Sequence, residues 1–311
     1  MYSSPTEDFY LHRDMYFPNP IKFSWEADSP ADSYKLSLSQ NADMSGAKQY
    51  SSSKSDLEIN GLFTGAKYYW QVEANYPNRT CSSEVFAFET APSPRTVRID
   101  GVSNTRDIGG LKISGNRRIK QGLVYRGGKL NDATEEGKIY ATEFLGIKTD
   151  IDLRNSAEVG ENAVSPLGEK VNFININGPC YTGGGLGIDR EDFKEALAQE
   201  VRLFANPDNY PIYVHCTLGR DRTGTIAIII EGLLGAEKNE LFLEYELSVF
   251  SVMGTFDNAG VDILRQNFNN LYAYIDGFGQ KDTFAENVEI LLRSLGITRE
   301  EIDSIRNILT E

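Results

Sequence analysis

One short stretch carries side chains whose types and spacing could do chemistry together, "VHCTLGRDRTG" at residues 214 to 224. Five residues separate Cys216 from Arg222, and Thr223 follows directly. The apolar run "YPIYV" precedes it and "TGTIAIIIEGLLG" follows, the second with so little polar face that strand and helix alike must be buried. A loop at the carboxyl end of a sheet strand and the N-terminus of a buried helix gathers unpaired backbone N–H groups and the positive end of a helix dipole. Such a loop holds an anion. Curled from Thr217 through Leu218, Gly219, Arg220 and Asp221 to Arg222, it would aim successive amides at the oxygens of a phosphate, with Gly219 permitting the curl. Arg222 would return to grip two of those oxygens bidentately. Cys216 at the loop base would be largely thiolate and able to attack phosphorus, forming a cysteinyl-phosphate. Thr223 would donate to the sulfur as it leaves in the second step, and His215 would hold the loop through a backbone bond.

Competing readings exist for these residues. A strand that ends in a buried structural cysteine is common, but two arginines and an aspartate inside six residues do not belong in a core. A catalytically dead relative that only binds phosphate is the next reading, and the intact Cys216, Arg222 and Thr223 speak against it. Sulfur transfer of the rhodanese kind also uses a loop-base cysteine, without this arginine and threonine pattern.

The elements that must position the loop follow an alternating pattern. "GLVYRGG", "IKTDIDLR", "KVNFININ" and "YPIYVHC" read as apolar strands between helical stretches such as "EEGKIYATEFLG" and "REDFKEALAQEVRLFA", which predicts an α/β fold with a central sheet flanked by helices. The tail is helical, ending in "ITREEIDSIRNILTE" with Thr298 as an N-cap. Residues 18 to 91 read differently, as short strands of period two: "IKFSWEA", "SYKLSLSQ", "SDLEINGL", "KYYWQVEAN" and "EVFAFET" predict a small all-β sandwich with Trp25, Tyr69 and Trp70 in its core. The expected division is an extension at 1–17, the sandwich at 18–91, a proline-rich linker at 92–97 and the α/β domain at 98–311.

Composition narrows the function classes. A formal charge of −14 over 311 residues disfavours nucleic acid and anionic membrane surfaces as partners. No run of apolar residues is long enough to cross a bilayer, and the opening "MYSSPTEDFYLHRD" lacks the basic and apolar regions of a secretory signal. Cys81, Cys180 and Cys216 are odd in number and widely spaced, against a disulfide framework or zinc knuckle; with only His12 and His215 besides, no metal or other cofactor is expected.

The loop has the Cys-x5-Arg-Ser/Thr signature of the protein tyrosine phosphatase superfamily. "VSNTRDIGGLKISGNRRIKQGLVYRGGKLNDATEEG", then "LGIKTDIDLRNSAEV", the loop, "LEYELS" and "LGITREEIDSIR" together resemble the bacterial tyrosine/serine protein phosphatase family, over residues 96 to 311. That resemblance implies a cofactor-independent phosphatase acting on phosphotyrosine or on phosphoserine and phosphothreonine, with phosphoinositides as an alternative and an inactive phospho-binding or adhesive protein as a reading of another class. The usual loop lysine is Arg220 here, and the serine of an "R-S-G" strand end is Gly127. No "WPD" loop is present, and the family resemblance assigns the leaving-group proton to Asp221; an ion pair with its arginine neighbours is the alternative. Asp189 and Asp192, in "GPCYTGGGLGIDRED", are rival donors. Asp107 is expected to support the loop structurally, and Arg126, Lys129 and Arg154 to add positive field or to pair with carboxylates. Cys180 reads as a loop thiol. The sandwich resembles fibronectin type III domains, a candidate for binding another protein or a glycan, and such modules on bacterial enzymes point to a periplasmic, cell-surface or secreted location over a cytoplasmic one.

Overall fold

The structure, a computed structural model, describes residues 20–27, 29–92, 94–160, 163–178, 191–250 and 258–311. The chain folds as two units, one of residues 18–95 and one beginning at Thr96.

The first unit is all β. Strands β1 (Ile21–Ser24) and β4 (Asp56–Ile59) form one antiparallel pair; β2 (Ser33–Ser39), β3 (Lys48–Ser52), β5 (Lys67–Tyr76), β6 (Arg79–Ser82) and β7 (Phe86–Glu89) form a second antiparallel sheet centred on β5. The period-two pattern explains the packing. Tyr34, Leu36 and Leu38 of β2 point to the same face as Tyr68 and Val72 of β5 and close on Phe23 and Ile59 of the other pair. Trp25 and Trp70 lie at the margin of this core, half-buried, with Trp70 edge-on to Phe23 at 5.3 Å. Arg95, the last residue of this unit, is buried, donates to the carbonyl of Gly61 at 2.6 Å and lies over the Phe63 ring.

The second unit is built on a mixed sheet in the order β14-β13-β15-β12-β9-β8: Asn172–Asn175, Thr149–Asp152, Ile212–His215, Val124–Gly127, Arg106–Asp107 and the edge strand Arg95–Thr96. A small hairpin, β10 (Lys112–Ile113) and β11 (Arg117–Arg118), stands apart from it. The four strands β12 to β15 are parallel, and β15 is central, with β13 and β12 on its flanks. Burial on both faces accounts for the unbroken apolar runs read in the sequence. Helices follow in chain order: α1 (Glu135–Ile139), α2 (Ser156–Val159), α3 (Glu191–Ala205), α4 (Asp221–Leu233), α5 (Lys238–Glu246), α6 (Asn258–Gly279), α7 (Phe284–Ser294) and α8 (Arg299–Leu309). Helix α4 is buried almost throughout, from Thr223 to Leu233, and packs with α3, α7 and α8 into one core that contains Cys216 itself. Thr298 caps α8 reciprocally with Glu301, as the sequence predicts. No described helix is long and apolar enough to cross a membrane.

Candidate active site

Strand β15 ends at His215 and α4 begins at Asp221, leaving five residues to turn the chain. Gly219 makes that turn possible. Its φ is +68°, and a Cβ there would overlap the carbonyl oxygen of Gly127, so neither backbone sign nor space admits a side chain. The loop therefore packs directly on the end of β12, where Gly127 and Gly128 lie.

Cys216 sits at the base of the loop, 3% exposed. Burial raises its thiol pKa, but the hydroxyl and amide of Thr223, the charge of Arg222 and the amide of Gly219 outweigh burial and bring it below the ordinary value. The hydroxyl oxygen of Thr223 is buried with no other hydrogen-bond partner among the described residues, which leaves it to the sulfur. His215 is buried beneath. Its Nδ1 faces the carbonyl of Cys216 at 3.1 Å, and its Nε2 lies 3.0 Å from a carboxylate oxygen of Asp150. Burial alone would lower its pKa, yet Asp150 and then Asp152 raise it, so the ring carries charge more readily than a free imidazole.

Arg222 is engaged at the rim. Its two terminal nitrogens donate to both carboxylate oxygens of Glu158 at 2.7 and 2.9 Å, with the carbonyl of Leu153 and the hydroxyl of Thr217 at 3.3 and 3.4 Å. Thr217 also donates to Glu158, at 2.8 Å. The Arg222 hydrogen bonds hold the Glu158 carboxyl down at about 2. Glu158 thus occupies the donors that a phosphate would take. It reaches them from α2, a helix started by the capping box of Asn155 and Glu158.

The outward face of the loop is held from behind. Asn104 Nδ2 donates to the carbonyl of Leu218 at 2.9 Å, and Arg126 donates to the carbonyl of Gly219 at 2.8 Å. Arg126 is fully buried and its other terminal nitrogen meets Glu244 of α5 at 2.5 Å; Arg106 meets the second Glu244 oxygen at 2.6 Å. Burial and then the neighbouring Arg126 draw Arg106 down to about 10, still charged at neutral pH. Pinning two carbonyls outward turns the amides of a tight loop inward, which is the arrangement an anion needs.

Several expected residues take structural places. Arg126 lies beneath the loop and not in the pocket, because Glu244 neutralises it there. Arg154 pairs with Asp152 at 2.6 Å and Lys129 with Asp132 at 3.0 Å, so neither is spent on an open field. Asp107 accepts from the amides of Gly109 and Gly122 at 2.8 and 2.6 Å, joining two turns of the chain. Asp221 opens α4 with both carboxylate oxygens 3.3 Å from Nε of Arg220. A side chain at position 127 would strike the hydroxyl of Tyr213, which donates to the carbonyl of Gly128 at 2.9 Å, so the glycine read there is the residue that fits. Asp189 and Cys180 lie outside the described residues; Asp192 falls in the first turn of α3. Sequence reasoning did not single out Glu158, Asn104, Asp150 or Glu244. It also passed over Glu200 of α3, buried near the thiol, whose carboxyl burial and Cys216 push up to about 8. Among the described residues no group of His, Cys, Asp and Glu could hold a metal ion.

The profile of the Tyrosine phosphatase family matches residues 97–311. This chain belongs to that family. The tyrosine phosphatase unit is also similar to a Cupriavidus necator protein assigned as a putative tyrosine-protein phosphatase, 25% identical over 53% of this chain and 69% of the relative. It is 30% identical to a tyrosine-protein phosphatase of Nostoc commune, over 41% of this chain and 47% of that one. The inositol diphosphatase Siw14 of Saccharomyces cerevisiae matches at 26% over 30% of this chain and 35% of its own length. The last two matches thus span about half or less of those relatives, and the set is not confined to bacteria. Among solved structures, the core catalytic domain of the yeast Siw14 phosphatase covers 51% of this chain and 90% of its own, with 16% identity and a TM-score of 0.31. Membership makes this tyrosine phosphatase family protein an enzyme, a phosphoric monoester hydrolase.

Proposed function

We propose that the enzyme hydrolyses phosphomonoesters on proteins, phosphotyrosine first, through a cysteinyl-phosphate on Cys216. The observation that carries this reading is a buried thiol with lowered pKa beneath a loop whose carbonyls are held outward and whose arginine stands at the rim. The thiolate of Cys216 attacks phosphorus and the ester P–O bond breaks, its electron pair leaving with the alcohol or phenol oxygen. That oxygen takes a proton. Water then attacks the phosphorus of the cysteinyl-phosphate, releasing inorganic phosphate and restoring the thiolate, with Thr223 donating to the sulfur. In the substrate complex Arg222 exchanges Glu158 for two phosphate oxygens.

Asp221 is our assignment for the proton on the leaving oxygen, since it stands at the start of α4 beside the loop. Asp221→Asn should slow phenyl phosphate by roughly a hundredfold and nitrophenyl phosphate far less, because only the poorer leaving group needs protonation. Equal losses on both would remove Asp221 from that role. Phosphoinositides form a second substrate class: Arg220 keeps the charge of the usual loop lysine, and one relative is named an inositol diphosphatase. Side-by-side rates on phosphotyrosine peptide, phosphoserine peptide and phosphoinositide rank the three. A protein that binds phosphate without hydrolysis would release none from any of them. The β unit we read as a fibronectin type III-like module that contacts another protein or a glycan; loss of such binding on its deletion, with aryl phosphate turnover retained, checks this.

A further inference from the structure

We propose that Asn104 is a positioning residue for the phosphate loop: its side-chain amide, fixed in place by Arg106 and Glu244, holds the Leu218 carbonyl outward and thereby sets the direction of the loop amides over Cys216. This rests on the reading of Cys216 as the nucleophile.

Asn104 has a left-handed backbone, φ +62°, in the turn that enters β9. Asparagine tolerates that conformation better than other side chains bearing an amide or a bulkier group. The turn presents the amide between two partners. Its oxygen accepts from a terminal nitrogen of Arg106 at 2.5 Å, and its nitrogen donates to Leu218 at 2.9 Å. That pattern fixes the amide's orientation, because the guanidinium can only donate and the carbonyl can only accept. Arg106 is itself locked. It is 1% exposed, and its remaining donors go to a carboxylate oxygen of Glu244 at 2.6 Å, the Glu244 carbonyl at 3.0 Å, the hydroxyl of Ser248 at 3.1 Å and the backbone oxygen of Asn104 at 3.1 Å. The second oxygen of Glu244 takes Arg126, whose far nitrogen grips the next carbonyl along, that of Gly219.

One buried carboxylate on α5, 138 residues from Arg106 in the chain, therefore anchors two arms that end on consecutive carbonyls of the loop. Peptide planes are rigid, so an outward carbonyl at Leu218 fixes the amide of Gly219 inward. The Gly219 amide is among the groups that lower the Cys216 pKa. Asn104 is the more accessible of the two arms, half-buried.

The test uses Asn104→Asp and Asn104→Gly in the full chain, both compatible with a left-handed backbone. The aspartate keeps the contact to Arg106 and loses the donor to Leu218; the glycine loses both and adds no charge. Vanadate affinity and the pH dependence of Cys216 alkylation by iodoacetamide are measured, neither of which requires turnover. A lost hydrogen bond of this kind predicts vanadate binding weakened about tenfold in each variant and a thiolate pKa raised by roughly half a unit or more, with melting temperatures close to wild type. If the glycine variant is folded and binds vanadate and titrates as wild type does, the proposal is overturned; a drop in melting temperature with both readouts unmoved overturns it equally and leaves Asn104 a fold residue. If wild type itself takes up vanadate and iodoacetamide yet hydrolyses no aryl phosphate, the catalytic reading fails and the positioning result stands.

Discussion

Two carboxylates hold arginines around the loop, and they differ in almost every respect. Glu158 stands at the rim, 31% exposed in its side chain, and grips Arg222, the residue we propose to hold the substrate phosphate. Glu244 is 1% exposed beneath the loop and joins Arg106 to Arg126, both inaccessible to any ligand. The rim pair is reached by solvent from the Glu158 side, which screens it and limits its net worth. The buried triad has no such screening. Removing its one carboxylate leaves two guanidinium groups uncompensated in a dry interior. The loop thus has a solvent-reachable carboxylate in front and a buried one behind.

The largest expected effect breaks the comparison at its buried end. Glu244→Ala should lower stability by about 3–5 kcal/mol in denaturant unfolding, since it orphans two buried charges. A loss below that of the rim variant described last would show that the buried pairs are not the anchor. Next comes the loop itself. Gly219→Ala meets both a positive φ and the Gly127 carbonyl, so strain of about 1–3 kcal/mol must be relieved by moving the loop. Aryl phosphate turnover should fall roughly a hundredfold, the scale of one lost oxyanion donor; unchanged turnover would mean that the close approach to β12 does not set the site.

The smallest effect belongs to Glu158. Glu158→Gln should shift stability at neutral pH by less than about 1 kcal/mol. Its pH dependence has a definite sign. The folded carboxyl lies at about 2, below its unfolded value of 4.5, so its contribution is present above 4.5 and is lost as pH falls through 2. Wild type and Glu158→Gln should therefore converge in stability at the acid end of that window. A gap between the two that stays constant from neutral pH down through 2 would show that the Glu158 charge contributes nothing to stability.

The contrast also explains what could be read from the sequence. The strand, the loop and α4 announce themselves, because burial on both faces writes an unbroken apolar run and the loop chemistry is confined to nine consecutive positions, 215 to 223. Thr298, Gly219 and the alternating strands of the first unit were legible for the same reason: each is a local constraint on the chain. Glu158 is half-legible, since Asn155-Ser-Ala-Glu158 reads as a capping box and is one, while its second duty to Arg222 spans 64 positions. Glu244 is not legible at all. A glutamate among the charged and apolar residues of "LFLEYELS" suggests solvent, and only the fold reveals the two arginines that come to meet it. For Arg126 the sequence left open a positive field or a carboxylate partner, and only the fold names Glu244 and the Gly219 carbonyl as its partners. Gly127 reads in the sequence as a lost serine hydroxyl, and only the fold shows why a glycine stands there: the Tyr213 hydroxyl fills the space a side chain would need.

The central claim is that the thiolate of Cys216 forms a bond to phosphorus. Rapid quench of the full chain during turnover of labelled aryl phosphate, without added metal, tests it most directly. A labelled phosphoryl group trapped on Cys216 is expected in wild type, and neither label nor turnover in Cys216→Ser. Turnover by Cys216→Ser at the wild-type rate would contradict the claim.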